Sequence, residues 1–186
     1  MIVDAFLVPL KAFDLAKERL RTGNDLDVSA LAAAMARDVI AACAPVPVLV
    51  VTESADVAAF ATEAGAQVIV SRSRGLNDAL RNAYRALGDR YAQVAVVPGD
   101  LRHPGGLGAF DASPGLTVVP DRHGTGTNLL ALPGGLDFHF AYGPDSARRH
   151  LEEGRRLGLA VSLVTNGPWG VDVDRPEDLD IGPDGV

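Results

Sequence analysis

A chain of 186 residues, 47% of them hydrophobic, has the length and apolar content for one domain with a real core, which excludes a disordered chain. A net charge of −7 and a pI near 5.0 exclude a global attraction for nucleic acid or an anionic membrane, so any bound phosphate must be held by local backbone donors, local cations or a metal ion. The single cysteine, Cys43, excludes an intrachain disulfide and suits a reducing, cytoplasmic setting, and no apolar run approaches the roughly 18 residues of a membrane span.

Aromatic residues are only 5% of the chain, so Val, Leu, Ile and Ala must build the core. Ile2–Pro9 predicts a buried first strand; it is short, contains Asp4 and lacks a basic start, so it does not read as a signal peptide. The loop that follows carries Lys11, Lys17 and Arg19. Ligands of α/β sheets collect beyond the carboxyl ends of strands, which places these cations well for a polyphosphate; a solvated charged face is the plainer reading. Leu31, Met35, Val39 and Ile40 recur at helical spacing and predict a helix over Ser29–Cys43, with Cys43 a small core residue. Val46–Val51 is a continuous β-branched run, as in a central parallel strand. Ser54 caps a helix through Glu63, Gly65 ends it, and Gln67–Val70 is the next strand. This β-α-β-α-β order predicts a single three-layer α/β domain over 1–186, with a mostly parallel, mixed sheet.

Between Ser71 and Asp78, Asn77 and Asp78 can read base edges and Arg72 or Arg74 can face phosphate; Asn77 can equally serve as the N-cap of a helix running to about Leu87. Val94–Pro98 predicts another strand, with Gly99-Asp100-Leu101 at its carboxyl end, where a carboxylate suits a metal–phosphate site or caps a turn. Strands at Leu116–Pro120 and Leu129–Leu132 flank Asp121-Arg122-His123-Gly124-Thr125-Gly126-Thr127-Asn128. That loop combines flexible glycines, hydroxyls and cationic groups. It reads as a grip on a phosphorylated or carboxylated substrate, or as a polar Gly-rich turn. Phe138–Tyr142 is an aromatic segment that could pack against a second copy of the chain in a homodimer. Gly143 and Ser146 then bracket the start of a helix reaching about Leu157, a place where exposed N–H groups bind anions. After a strand at Ala160–Val164, Asp172 and Asp174 are two residues apart and share one face if extended, a spacing that suits Mg²⁺; Asp174 could instead cap a helix begun by Pro176. Residues 182–186 read as a frayed tail.

In this order the motifs resemble one family, the guanylyltransferases that make the phosphodiester precursor of the deazaflavin coenzyme F-420 from 2-phospho-L-lactate or phosphoenolpyruvate. The resemblance rests on Val8-Pro9-Leu10-Lys11 with Ala16-Lys17-Glu18-Arg19-Leu20, Gly75-Leu76-Asn77, Gly99-Asp100-Leu101, the Asp121–Asn128 loop, Tyr142-Gly143-Pro144-Asp145-Ser146 and Asp172–Leu179. It implies a nucleotidyltransferase-type Rossmann-like fold and a Mg²⁺-dependent reaction of GTP with a phosphorylated three-carbon acid. It further implies that Thr127, Gly143 and Ser146 hold the acid, and that Asp100, Asp172 and Asp174 hold Mg²⁺. Lys17, with Lys11 and Arg19 beside it, would face the GTP phosphates, and Asn77 the guanine side. One departure stands out: the family usually has Leu-Pro after the first metal-binding Asp, whereas here Leu101 is followed by Arg102-His103-Pro104.

Two other classes compete. A molybdenum-cofactor guanylyltransferase would carry a Gly-rich, Arg-containing loop where this chain has Pro9-Leu10-Lys11, and a regulatory nucleotide-binding protein would not need three metal-directed carboxylates. No Gly-x-Gly-x-x-Gly follows the first strand, which counts against a nicotinamide-dependent oxidoreductase.

Overall fold

The computed structural model describes residues 1–15, 27–173, 178, 180 and 182. Lys17, Arg19, Asp174 with its alternative as a helix cap, and most of the expected tail lie outside the described residues.

The elements follow the expected order. They are β1 (Ala5–Pro9), α1 (Val28–Ala42), β2 (Val48–Thr52), α2 (Ala55–Glu63), β3 (Gln67–Val70), α3 (Leu76–Leu87), β4 (Gln93–Val96), β5 (Leu116–Pro120), β6 (Thr127–Pro133), α4 (Ser146–Arg156) and β7 (Val161–Leu163). They form one sheet in the order β3-β2-β1-β4-β6-β5-β7. Neighbours pair in parallel throughout except around β6, which runs antiparallel to both β4 and β5.

Strand alternation splits the core in two. Phe6 and Val8 of β1, with Ala95 of β4 and Leu129 and Ala131 of β6, pack on α1 and α2 through Val39, Ile40, Val57 and Ala61. Ala5 and Leu7, with Val94, Val96, Leu130 and Leu132, pack on α3 and α4 through Leu80, Tyr84, Leu87 and Ala147. This is the three-layer arrangement a parallel sheet needs to bury both faces.

Local chemistry sets the ends. Asp27 caps α1 by accepting from the Ala30 N–H at 3.0 Å, and Ser54 caps α2 by accepting from Val57 N–H at 3.3 Å. The cap of α3 is Gly75, at φ +87°, which corrects the alternative placing of Asn77 there: Asn77 lies inside the first helical turn. The first strand starts at Ala5 rather than Ile2, because Asp4 turns its carboxylate back onto the Gln93 N–H (2.9 Å), and Ile2 makes only a lone bridge to Asp111. Cys43 is fully buried just after α1, and burial pushes its thiol up to about 12. The aromatic segment also differs from expectation. Phe138 and Phe140 are buried against each other and Tyr84 in the chain's own core, so their rings are not free for a partner.

Candidate active site

The carboxyl ends of β1, β2, β3 and β4 open onto a cavity of about 350 Å³. Its lining includes Lys11 after β1, Glu53 after β2, Ser71, Ser73, Gly75 and Leu76 between β3 and α3, and Gly99 and Asp100 after β4. A Cβ at position 99 would come within 2.2 Å of Leu10 Cδ2, so any larger residue there must displace the end of the Leu10 side chain. Gly99 thus lets the backbone carrying Asp100 close onto Leu10 while the cavity stays open. Glu53 and Asp100 follow strands on either side of β1, so they mark two sides of the cavity about two strand spacings apart, roughly 10 Å.

Asp100 is tied to the second carboxylate segment. Leu101 and Asp172 form an antiparallel bridge, with Arg102 N–H donating to Val171 O (2.9 Å) and Val173 N–H donating to Asp100 O (3.1 Å). The Asn128 amide donates to Trp169 O at 3.0 Å and reaches Asp172 Oδ1 at 3.4 Å. Among the described residues no three His, Cys, Asp or Glu side chains form a metal-binding group. The donors present fit Mg²⁺ in kind: Asp100 and Asp172 offer hard carboxylate oxygens on two backbone-bonded segments, and Asn128 orients the second from behind.

The Gly-rich loop spends its donors on itself. Asp121 accepts from the Gly124 N–H at its carbonyl (2.9 Å) and from the Thr125 N–H at Oδ1 (2.8 Å). A Cβ at Gly126 would lie 2.8 Å from Asp121 Oδ2. Arg122 pairs with the buried Asp178 at 2.8 Å and donates to His123 Nε2 at 3.2 Å. The amides of Asp121, Gly124 and Thr125 and the Arg122 charge already have partners, so residues 121–126 form a polar turn closed largely on itself. The turn delivers Thr127.

How it does so is visible in the register. Pro120 pairs with Thr127 where regular pairing after Val119↔Leu129 would give Asn128, so β6 bulges by one residue. Thr127 shares odd parity with Leu129 and Ala131, which face α1, yet its hydroxyl meets α4 on the other face. A bulge next to a site commonly re-aims a side chain in this way. Ser146 Oγ donates to Thr127 Oγ1 at 3.0 Å, and Thr127 Oγ1 lies 3.0 Å from Nδ1 of the buried His150. His150 Nε2 accepts from the Ala141 N–H at 3.0 Å. Burial, helped by the Arg149 charge and opposed by Glu153, pulls His150 down from 6.5 to about 4, so it is neutral at physiological pH.

Gly143 has φ +121° and nothing within 4 Å of where a Cβ would sit, so its flank is open space. Its carbonyl accepts from Ser146 N–H (3.1 Å), and Thr125 O accepts from Ala147 N–H (3.1 Å). Two amides of the α4 start are thereby used, and beside them lie the hydroxyls of Thr127 and Ser146, buried and bonded to each other.

Lys11 and Asp100 share the cavity, and Thr127 and Ser146 share a hydrogen bond. Asn77, Arg72 and Arg74 do not line the cavity. The Asn77 amide both donates to Tyr142 O (3.1 Å) and accepts from Tyr142 N–H (2.7 Å), and Asp78 pairs with Arg81 at 2.8 Å. Sequence reasoning missed Glu53, Asn128 and His150. Glu53 directly follows a buried run, the position that drew attention to Asp100, and His150 stands four residues after Ser146 on the inward stripe of α4.

The model of the family described as "Guanylyl transferase CofC like" matches residues 4–181. A phosphoenolpyruvate guanylyltransferase of Roseiflexus castenholzii is 37% identical over 179 residues, covering 93% of this chain and 84% of that protein. A 3-phospho-D-glycerate guanylyltransferase of Phenylobacterium zucineum is 35% identical over 182 residues, covering 88% and 82%. Among solved structures, a nucleotidyl transferase from Methanothermobacter shares the fold at a TM-score of 0.59 and 15% identity, over 94% of this chain and 93% of that one. The chain belongs to the CofC-like guanylyltransferase family.

Proposed function

We propose that this protein transfers the guanylyl group of GTP to the phosphate of a phosphorylated three-carbon acid, phosphoenolpyruvate first among them, releasing pyrophosphate in the route to coenzyme F-420. The observation that carries this reading is the position of Asp100. It stands between the cavity at the ends of β1 to β4 and the hydroxyl pair at the start of the neighbouring β6. A nucleotide in the cavity and an acid at Thr127, Gly143 and Ser146 would meet beside it.

The chemistry asks little of a general base, because a phosphate oxygen of the acid is already ionised at neutral pH. That oxygen bonds to the α-phosphorus of GTP as the bond to the pyrophosphate oxygen breaks, and the electron pair leaves with pyrophosphate. The obstacle is bringing two anions together on an acidic protein, so positioning and charge neutralisation supply the catalysis. Lys11, with Lys17 and Arg19 of the same loop, would face the triphosphate. Asp100, Asp172 and Asp174 would hold Mg²⁺, which would neutralise phosphate charge and stabilise the transition state. Thr127 and Ser146 would donate to the acid, and the bare flank of Gly143 would admit it.

On the base side we assign Glu53 in place of Asn77. A carboxylate at the cavity wall can accept both the N1–H and the N2 amine of guanine, two donors that adenine does not present together. The Asn77 amide is already shared with Tyr142.

No helix among the described residues is long and apolar enough to cross a membrane. The deciding experiment is pyrophosphate release from GTP and Mg²⁺ with phosphoenolpyruvate, 2-phospho-L-lactate or 3-phosphoglycerate, with ATP as control. Release with one acid and GTP is expected; silence with all three overturns the reading.

A further inference from the structure

We infer that His150 is a positioning residue for acid binding: its ring, held as the Nδ1–H tautomer, leaves the buried Thr127–Ser146 pair one hydroxyl hydrogen to donate to an anion. The inference rests on the reading that these two hydroxyls contact the acid.

It follows from counting hydrogens. Nε2 of His150 accepts from the Ala141 N–H, so Nε2 carries a lone pair and, in the neutral ring, Nδ1 carries the hydrogen. Nδ1–H then donates to Thr127 Oγ1, which also accepts from Ser146 Oγ. Three hydrogens belong to the trio, those of Nδ1, Thr127 and Ser146, and two are used within it. One hydroxyl hydrogen is left over whichever way the Thr127–Ser146 bond runs. With the opposite tautomer Nδ1 would be an acceptor, Thr127 would donate to it, Ser146 would donate to Thr127, and none would remain. A hydroxyl pair without a spare hydrogen presents only lone pairs, which repel a carboxylate or phosphate.

The surroundings keep the ring in this state. His150 is fully buried, with Tyr142 edge-on at 4.8 Å between centroids and Phe138 tilted at 5.9 Å. Ala141 belongs to the same segment as Gly143, so the backbone donor that sets the tautomer and the open flank that admits the acid are placed by one stretch of chain.

The test compares His150→Phe, His150→Asn and Thr127→Val, measuring KM for the acid and for GTP separately. Asn can place its amide near the position of Nδ1 and donate to Thr127, whereas Phe cannot. His150→Phe is expected to raise the acid KM roughly tenfold while leaving the GTP KM within about twofold, and His150→Asn to restore most of the loss. Equal effects on both KM values, or equal effects of Phe and Asn, would mean a packing role and overturn the inference. Thr127→Val separates the layers of argument: an unchanged acid KM there removes the acid-site reading itself, whereas a raised one with His150→Phe unaffected removes only the role of His150. Should the variants not fold, ¹⁵N NMR of the unmodified protein reads the tautomer directly, and a protonated Nε2 overturns the inference.

Discussion

Asn77 and Tyr142 hold each other through two hydrogen bonds, the side-chain amide of one pairing with both backbone groups of the other at 3.1 and 2.7 Å. The first turn of α3, which walls the cavity through Leu76, is thereby pinned to the residue before Gly143. Asn77→Ala removes both bonds and leaves the Tyr142 groups without them, at a cost of about 1–3 kcal/mol, or several degrees of melting temperature. The acid KM should rise more than the GTP KM. Thermal unfolding and initial-rate kinetics check this; a selective rise in GTP KM would return Asn77 to the base.

Gly99→Ala pushes a methyl into Leu10. Since Leu10 also lines the cavity, its displaced side chain would intrude on the nucleotide. GTP binding by calorimetry should weaken by roughly tenfold, and adding Leu10→Ala should recover part of it, a non-additivity expected of residues in contact.

Glu53→Gln should lower kcat/KM for GTP by roughly ten- to a hundredfold, the worth of a charge-assisted hydrogen bond of about 1.5–3 kcal/mol. Inosine triphosphate lacks the N2 amine, so the substitution should cost it less. Equal losses with both nucleotides would remove Glu53 from base recognition.

Arg102 stands where the resembled family has proline, and its N–H donates to Val171 O. Proline has no N–H. Arg102→Pro should therefore break one rung between the Asp100 and Asp172 segments and cost about 1 kcal/mol, whereas Arg102→Ala keeps the rung. Activity titrated with Mg²⁺ should shift to higher metal concentration in the proline variant alone.

Stability should fall on acidification through His150. Its proton is bound near pH 6.5 in the unfolded chain but only near about 4 in the fold, so between those values the unfolded state holds more protons. The contribution is complete above 6.5 and lost as pH falls towards 4, roughly 3 kcal/mol in all. His150→Phe should flatten this part of the curve. Glu153, held down to about 2 chiefly by its hydrogen bond with Arg156, adds its own loss only below its ordinary 4.5. Urea unfolding across the pH range separates the two.

The layers and the chain order of the elements were readable because continuous apolar runs such as Val48–Thr52 and caps such as Ser54 act locally, whereas the order of strands within the sheet was not. The turn at 121–126 was not readable either, because whether an Asp or an Arg faces a ligand or its own loop depends on partners such as Asp178, far away in sequence. His150 escaped notice for a related reason: on α4 it occupies an ordinary core position, and only the bulge in β6 gives it a hydroxyl to bond. Asn77 looked exposed and free because its partner is a backbone sixty-five residues away.

The reversal of β6 divides the sheet in two: the cavity lies at the ends of β1 to β4, and the Thr127–Ser146 pair lies at the start of β6. Under the proposed function, exchanges along β6 and the face of α4 would reshape the acid side without disturbing β1, β2 and β3, whose ends open onto the cavity assigned to the nucleotide. For engineering, that assignment would make the β6–α4 side the place to graft a new acid specificity, with β1 to β3 carried over whole.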